Sequence, residues 1–299
     1  MDVSDLKVFE AVSRHGSMNR AAQELHTVQS NVTARIRALE EELGVSLFQR
    51  HARGVSTTPA GQRILPFVGR ITKLLADART AAKDDGEPGG TLSLGSLETT
   101  TALRLSPLLG QFAKTYPQVR LVVTTGTTRR LIDDVVACRV EGAFVAGPVS
   151  HPDLDDEVIF REELVLVTSP AIQALENLVK IADLKTIVFQ IGCSYRQRLE
   201  SLLADMGIVT SKPLEFGSLD TIISCVSAGV GVTLLPRGVV AAAAREGRVA
   251  IHELPPERSL VDTLFVRRKD AYTSSAMTAF LDMVRSSHLA DDPENHHRI

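Results

Sequence analysis

Two groups of side chains in this sequence are suited to molecular recognition. The first is Gln29, Ser30, Asn31 and Thr33, followed by Arg35 and Arg37, with Arg50 and Arg53 a short distance on. Gln and Asn can pair with the edge of adenine and Arg with guanine, while hydroxyls and cations hold phosphate oxygens. The second is a scattered set of hydroxyls and one thiol: Ser96 with Thr99, Thr100 and Thr101, then Thr125 and Thr127, then Cys193 and Ser194, and lastly Ser218. Hydroxyls and free amides at helix N-termini favour an anionic group, commonly a carboxylate. Each hydroxyl is also a natural helix cap, so their convergence in space, which depends on the fold, is what would make them a site.

Neither group reads as catalytic. The chain carries no GxSxG, GxxxxGK[ST] or HExxH motif, and no Cys-His pair at a known spacing. Cys138, Cys193 and Cys225 lie far apart without a CxxC pair, and the histidines are scattered, so no metal and no cofactor is expected. Cys193, in the run GCSYRQR, has two readings. A thiol beside a helix N-terminus and cations can become a nucleophile or redox sensor. The absence of a second Cys close in sequence favours a plain place in a pocket wall.

The elements that would carry the first group follow from apolar spacing. Leu6, Phe9 and Val12 repeat at helical intervals behind Ser4, which predicts a helix over 5–14 capped by Ser4 and ended by Gly16. Ser17 caps a second helix containing Ala21, Ala22 and Leu25, and Thr27 is expected to cap a third whose buried stripe is Val32, Ile36, Leu39 and Leu43. Phe48, the turn carrying Arg50, Arg53 and Gly54, and the strand-like stretch 55–57 then predict a basic wing. Although the net charge of the chain is −3, residues 14–73 hold nine Lys or Arg against four acids. The alternative is a small three-helix bundle whose polar face is merely solvated.

After Pro59, the residues Ile64, Leu65, Phe67, Val68, Ile71, Leu74 and Leu75 continue at helical spacing towards Lys83, with Pro66 marking a point for a kink. This long helix packs either against a copy of itself or on its own domain. DDGEPGG, residues 84–90, reads as a hinge. From Thr91 onward short apolar strands alternate with helices, which predicts a mostly parallel sheet, and two lobes fit the pattern better than one. In such sheets ligands sit beyond the carboxyl ends of the strands, where the hydroxyls of the second group fall.

At 299 residues, 44% hydrophobic and 23% charged, the chain has the balance of a globular protein of two or three units. No apolar run reaches the roughly 18 to 20 residues of a membrane helix, and the N-terminus lacks the layout of a secretory signal, so the expected location is the cytoplasm. A solute-binding transport component would need an export signal and would leave the predicted DNA reader unexplained.

The run AAQELHTVQSNVTARIRALEEELGVSLFQRHARGVSTTPAG, residues 21–61, resembles the signature block of LysR-type transcriptional regulators. That family's paired alanines, Gln-Ser, Leu-Glu, Leu-Gly, Leu-Phe-x-Arg and Thr-Pro-x-Gly correspond in order to Ala21 and Ala22, Gln29 and Ser30, Leu39 and Glu40, Leu43 and Gly44, residues 47–50 and residues 58–61. The chain departs from the commonest form at Val28 and Asn31. SAGVGVTLLP, residues 227–236, matches a further element of the family.

The resemblance implies an α+β multidomain fold: a winged helix-turn-helix DNA-binding domain over 1–58, a linker and dimerisation helix with hinge over 59–90, and a two-lobed α/β effector domain over 91–290, similar to periplasmic binding proteins. Lobe one would be 91–161 with 268–290 and lobe two 162–267, leaving 291–299 as a polar tail. The implied partners are double-stranded operator DNA, a small effector, further copies of the chain as homodimer or homotetramer, and RNA polymerase, with no membrane and no enzymatic activity. Three Tyr and no Trp point to hydrogen-bonded capture of a small polar or carboxylated effector rather than aromatic stacking.

Overall fold

A computed structural model of the chain describes residues 1–52, 54–181, 183–210 and 213–291. They form two compact units, Met1–Lys83 with Val136–Arg139, and Asp84–Val135 with the residues from Val140 onward.

The first unit opens with helices α1 (Val3–His15), α2 (Met18–Glu24) and α3 (Gln29–Leu43). Leu6, Phe9, Val12, Ala21, Val32, Ile36 and Leu39 meet in a common core, with Phe48 tilted against Phe9 at 5.2 Å between ring centroids. The caps differ in part from those the sequence suggests. Ser17 caps α2 as expected, accepting from the Arg20 N–H, and Gly16 ends α1 in the left-handed region. Asp2, not Ser4, caps α1: its carboxylate accepts from the Asp5 N–H at 2.8 Å while Asp5 returns the bond to the Asp2 N–H at 3.0 Å. This reciprocal pair satisfies two helix-end donors and displaces the start of the helix towards the N-terminus. Thr27 does not cap α3 either; Val28 occupies that place without a side-chain bond, and the Thr27 hydroxyl accepts from the Asn31 side chain at 2.9 Å.

Strands β1 (Phe48–His51) and β2 (Gly54–Thr57) pair antiparallel as the wing, with Arg50 opposite Val55. Helix α4 (Pro59–Ala81) follows and runs on through Pro66. The Thr-Pro-x-Gly motif has a physical explanation at this junction. Thr58 Oγ1 accepts from the Gly61 N–H at 3.1 Å and donates to the Ser46 carbonyl at 2.7 Å, which fixes both the helix start and the loop before the wing. Gly61 is required because a Cβ there would lie 2.4 Å from the Leu47 carbonyl oxygen. Loss of a helix cap costs about 1 to 2 kcal/mol, so Thr58→Ala is expected to lower the first unit's stability by that amount, measurable as a shift in its thermal midpoint.

The larger sheet of the second unit has the order β10 (Ala250–His252), β6 (Leu154–Thr168), β11 (Leu260–Arg268), β5 (Gly142–Ala146), β3 (Gly90–Ser96), β4 (Val119–Thr125), with β9 (Thr233–Pro236) also on β6. Strands β3 (Gly90–Ser96), β4 (Val119–Thr125) and β5 (Gly142–Ala146) are mutually parallel, and β11 (Leu260–Arg268) returns antiparallel beside β5. The long strand β6 (Leu154–Thr168) pairs through its first part with β11 and through its last part with β9 (Thr233–Pro236) and β10 (Ala250–His252). It therefore belongs to both lobes.

The TLFVRRK segment, read from sequence as the end of lobe two, instead pairs with lobe one, Thr263–Arg267 lying opposite Gly142–Ala146. Strand composition could not reveal this, because buried strands of either lobe are equally apolar. Lobe two is completed by the short parallel strands β7 (Ile187–Val188) and β8 (Leu214–Glu215) and by helices α8 (Ser194–Asp205), α9 (Leu219–Ser227) and α10 (Arg237–Arg245).

Lobe one's core is aromatic. Phe112 of helix α6 (Ser106–Thr115), Phe144 of β5, Phe160 of β6, Phe265 of β11 and Phe280 of helix α12 (Ser275–Asp291) form one cluster with Leu92 and Leu94 of β3. Lobe two has its own cluster on Val165, Val167, Ile187, Ile222, Val226 and Leu235. The expected hinge is tethered at its first residue. Asp84 accepts from the Ser275 hydroxyl, from the Ser275 N–H at 2.9 Å and from the Tyr272 hydroxyl at 3.0 Å, and these bonds, the Ser275 hydroxyl's foremost, hold its carboxyl down to about 2. Of the expected polar tail, residues 292–299 lie outside the described residues.

Candidate nucleic-acid interface and effector cavity

Helix α3 sorts the expected DNA contacts by direction. Residues three and four apart share a helix face, so Gln29, Thr33 and Arg37 form one row with Ser30 beside it. Gln29, Ser30 and Arg37 are exposed and Thr33 half-buried, and Gln29 Nε2 donates to Thr33 Oγ1 at 3.4 Å. Asn31 is also exposed but lies on another side of the helix, bonded to Thr27.

Arg35 is not brought to this row. Its guanidinium pairs with Asp5 at 2.9 Å and lies 3.7 Å from Asp2, tying α3 to the start of α1. Sequence patterning sees a cation at a polar position and cannot see that the α1 cap supplies its partner. On the wing, Arg50 is exposed on β1, and Arg53 lies outside the described residues. Glu40 is not among the expected site residues, yet its carboxylate accepts from the Leu47 and Phe48 N–H groups at 2.6 and 3.1 Å, which sets the wing against α3. The Leu-Glu element of the signature block is its sequence signal.

In the second unit, a cavity of about 280 Å³ opens at the carboxyl ends of β3, β4, β7 and β8. Lobe one contributes Leu97, Glu98, Thr99, Thr125, Gly126, Thr127 and Arg130; lobe two contributes Phe189, Gln190, Ile191, Tyr195 and Gly217. A larger open trough of about 980 Å³ runs between α6, α12 and residues 84–88, away from the strand ends.

Of the expected effector residues, Thr99, Thr125 and Thr127 line the cavity. The others have local duties or face elsewhere. Ser96 is fully buried and donates to the Leu97 carbonyl at 3.0 Å; Thr101 donates to the same carbonyl at 2.9 Å; Thr100 is buried. Cys193 and Ser218 precede α8 and α9 at their N-caps, and neither lines the cavity. The Ser194 hydroxyl oxygen is buried and bonds to nothing among the described residues.

Burial pushes the Cys193 thiol up from its ordinary range, the reverse of an activated nucleophile. The cations expected to activate it are engaged elsewhere: Arg196 with Glu200 and Glu215 at 2.9 and 2.6 Å, and Arg198 with the Leu260 carbonyl at 3.4 Å.

Tyr195 and Glu98 are among the cavity residues that lie outside the expected set. Tyr195 is buried with its hydroxyl against Thr99, and desolvation raises its phenol far above the usual value, so it stays neutral. Glu98 of the short helix α5 (Glu98–Thr100) reaches across the lobes, its Oε1 accepting from the Leu219 N–H at the start of α9, 2.8 Å away. Its position directly after the first strand is the available signal.

Among the described residues no group of His, Cys, Asp or Glu could hold a metal, no helix is long and apolar enough to cross a membrane, and the three cysteines are free.

Comparison with known proteins agrees with this architecture. Residues 3–62 match the family described as bacterial regulatory helix-turn-helix protein, lysR family, and residues 85–288 match the LysR substrate binding domain. The chain is 40% identical over 294 residues to the HTH-type transcriptional regulator GltR of Bacillus subtilis, covering 98% of this chain and 99% of that protein. It is 40% identical to YofA of the same organism over 284 residues, covering 95% and 98%.

Among solved structures, a full-length OxyR variant from Pseudomonas aeruginosa superposes with a TM-score of 0.70 at 20% identity, covering 97% of this chain and 95% of that one. Full-length CbnR in complex with its target DNA superposes at 0.61 and 24%, covering 96% and 100%. These likenesses agree in fold with the winged helix-turn-helix and α/β sensing domain seen here, and the relatives are named as regulators rather than enzymes. The chain belongs to the LysR family of bacterial helix-turn-helix transcriptional regulators.

Proposed function

We propose that this regulator reads operator DNA with the polar row Gln29, Ser30, Thr33 and Arg37 of α3, steadied on phosphate by Arg50 of the wing. The observation that carries this is the row itself, polar throughout and exposed at Gln29, Ser30 and Arg37 on the third helix of a winged helix-turn-helix, while the opposite stripe is buried. Base contacts and phosphate contacts differ in their signatures. Gln29→Ala is expected to cost about 1 to 3 kcal/mol at the cognate site and to relax discrimination there, whereas Arg50→Ala weakens binding to all sequences and flattens the salt dependence. Footprinting with salt titration distinguishes them, and an unchanged operator affinity in Gln29→Ala with Arg37→Ala would show that α3 is not the reading helix.

The active form is proposed to be at least a dimer. Part of α4 serves its own unit, since Ile64, Leu65 and Val68 pack on the core of the first unit. Phe67, Ile71 and Leu74, spaced along one face, remain 62, 37 and 52% exposed. An apolar row of this kind on a long helix suits a second copy, and a two-fold dimer fits two half-sites in the operator. Leu74→Glu is expected to shift the sedimentation profile towards monomer and to reduce operator affinity at least about tenfold through lost bivalency.

The cavity between the lobes is proposed as the effector site, supported by its place at the strand ends and its convergent hydroxyls. A ligand there alters operator binding only by favouring one arrangement of the lobes over another.

A further inference from the structure

We infer that the cavity takes a small zwitterion, an ammonium-bearing carboxylate of the α-amino-acid kind, with its ammonium on Glu98 and its carboxylate on Arg130. This rests on the reading of the cavity as the effector site. Glu98 brings a negative charge to a place where a ligand carboxylate would otherwise be welcome. Its Oε1 accepts from the Leu219 N–H at 2.8 Å, so the chain's own carboxylate already occupies the N-terminal end of α9. One neutral N–H does not balance that charge, and among the described residues no cationic side chain pairs with Glu98, which lines the cavity.

Arg130, in the first turn of helix α7 (Thr128–Val136), lines the same cavity. Its contact with Asp134 is 3.9 Å, too long for a hydrogen bond, and its side chain is 66% exposed, leaving the guanidinium available.

The cavity therefore presents one carboxylate and one guanidinium, each short of a strong partner. A zwitterion satisfies both. A simple carboxylate would leave Glu98 uncompensated beside a like charge, and a simple amine would leave Arg130 with only the Asp134 carboxylate 3.9 Å away, so each is selected against. At about 280 Å³ the space is just under the roughly 300 to 1,000 Å³ of drug-sized pockets, which limits the ligand to a small molecule. Thr125, Thr127 and the neutral Tyr195 hydroxyl can orient it, and Phe189 offers an apolar wall for its side chain.

The test uses the full-length chain. The standard L-α-amino acids are screened by thermal shift, and those that raise the melting midpoint are titrated by calorimetry beside two matched probes: the 2-hydroxy acid of the same skeleton and the amine lacking the carboxylate. At least one amino acid is expected to bind, with both matched probes about 10- to 100-fold weaker, the scale of one charge-assisted hydrogen bond. Glu98→Gln keeps an acceptor for the Leu219 N–H while removing the charge. It is expected to weaken the amino acid about 10- to 100-fold while changing the hydroxy acid little. Arg130→Gln, on a side chain that is 66% exposed, weakens both.

The proposal is overturned if no amino acid binds, if the hydroxy acid binds as tightly, or if neither variant alters amino-acid affinity. Failure of the underlying reading looks different. If Thr127→Val and Tyr195→Phe leave the binding of every probe unchanged, the ligand sits outside this cavity. If they weaken an amino acid whose affinity Glu98→Gln leaves unchanged, the cavity is the site and the zwitterion assignment alone is wrong.

Discussion

Phe144→Ala is expected to destabilise the sensing unit by about 3 to 5 kcal/mol, the cost of removing a buried aromatic side chain and leaving its space unfilled. Phe144 is fully buried on β5, and its ring centroid lies 5.0 Å from that of Phe265 and 6.4 Å from those of Phe160 and Phe280. Four elements, β5, β6, β11 and α12, meet at this one side chain. Residues held by rigid strands on several sides cannot collapse into the void, which places the cost at the upper part of the large-to-small range. Because the chain has two units, its unfolding is not a single two-state event. Calorimetry should therefore show the sensing unit's transition falling while that of the helix-turn-helix unit stays in place. A shift of less than about 1 kcal/mol would mean that the aromatic cluster is not what holds lobe one together.

Arg104→Met is expected to cost about 3 kcal/mol by leaving Glu162 buried without its cation. Arg104 donates to Glu162 through Nε at 2.7 Å and Nη2 at 3.4 Å, and its guanidinium carbon sits 5.5 Å from the centre of the Phe160 ring. The Glu162 side chain is 9% exposed and that of Arg104 27%, so water screens the pair from one side and the loss falls at the low end for broken buried pairs. Local backbone geometry explains why this cation meets this acid. Residues Thr101–Leu105 form a π-helical turn between α5 and α6, and such a turn re-aims the side chains that follow the cavity-lining segment. The double variant Arg104→Met with Glu162→Met should recover most of the loss, since an apolar pair of similar volume replaces a desolvated ion pair at little cost. If the double variant is as unstable as Arg104→Met alone, the ion pair is not the cause.

Much of this architecture is legible in the sequence, and the misses share a cause. Helices α1 to α4 follow from apolar spacing, Gly16 and Ser17 from their local chemistry, and the motif at 58–61 from a hydrogen-bonded junction that admits little variation. These are signals between residues close in sequence. Asp2 escapes notice as a cap because its reciprocal partner is Asp5 where Glu or Gln is usual. Arg35 reads as a DNA contact because its true partners, Asp2 and Asp5, lie some thirty residues earlier.

The same holds for the cavity. A Ser or Thr after a strand is visible in the sequence, but whether it faces the cavity or its own backbone depends on the turn it occupies, as Thr99 and Thr101 show. Glu98 reads as an ordinary acid until Leu219 arrives from the other lobe. The lobe boundary escapes local reading because β11 pairs with β5 and β6 through contacts distant in sequence, which no local pattern records.

The crossing of β6 and β11 also bears on synthesis. These neighbouring antiparallel strands carry the chain into lobe two and back, so lobe two is an excursion within lobe one. Lobe one begins with Leu92 and Leu94 of β3, but its core closes only when Met277, Phe280, Leu281 and Val284 of α12 arrive. The helix-turn-helix unit needs no residue beyond Val68 for its core. Domains fold as units while the ribosome extends the chain from its N-terminus. The nascent protein therefore holds a finished DNA reader while β3 still waits, with its apolar face uncovered, for the last helix to leave the exit tunnel, and a truncation within α12 would release a chain with an intact reader and an open sensing core.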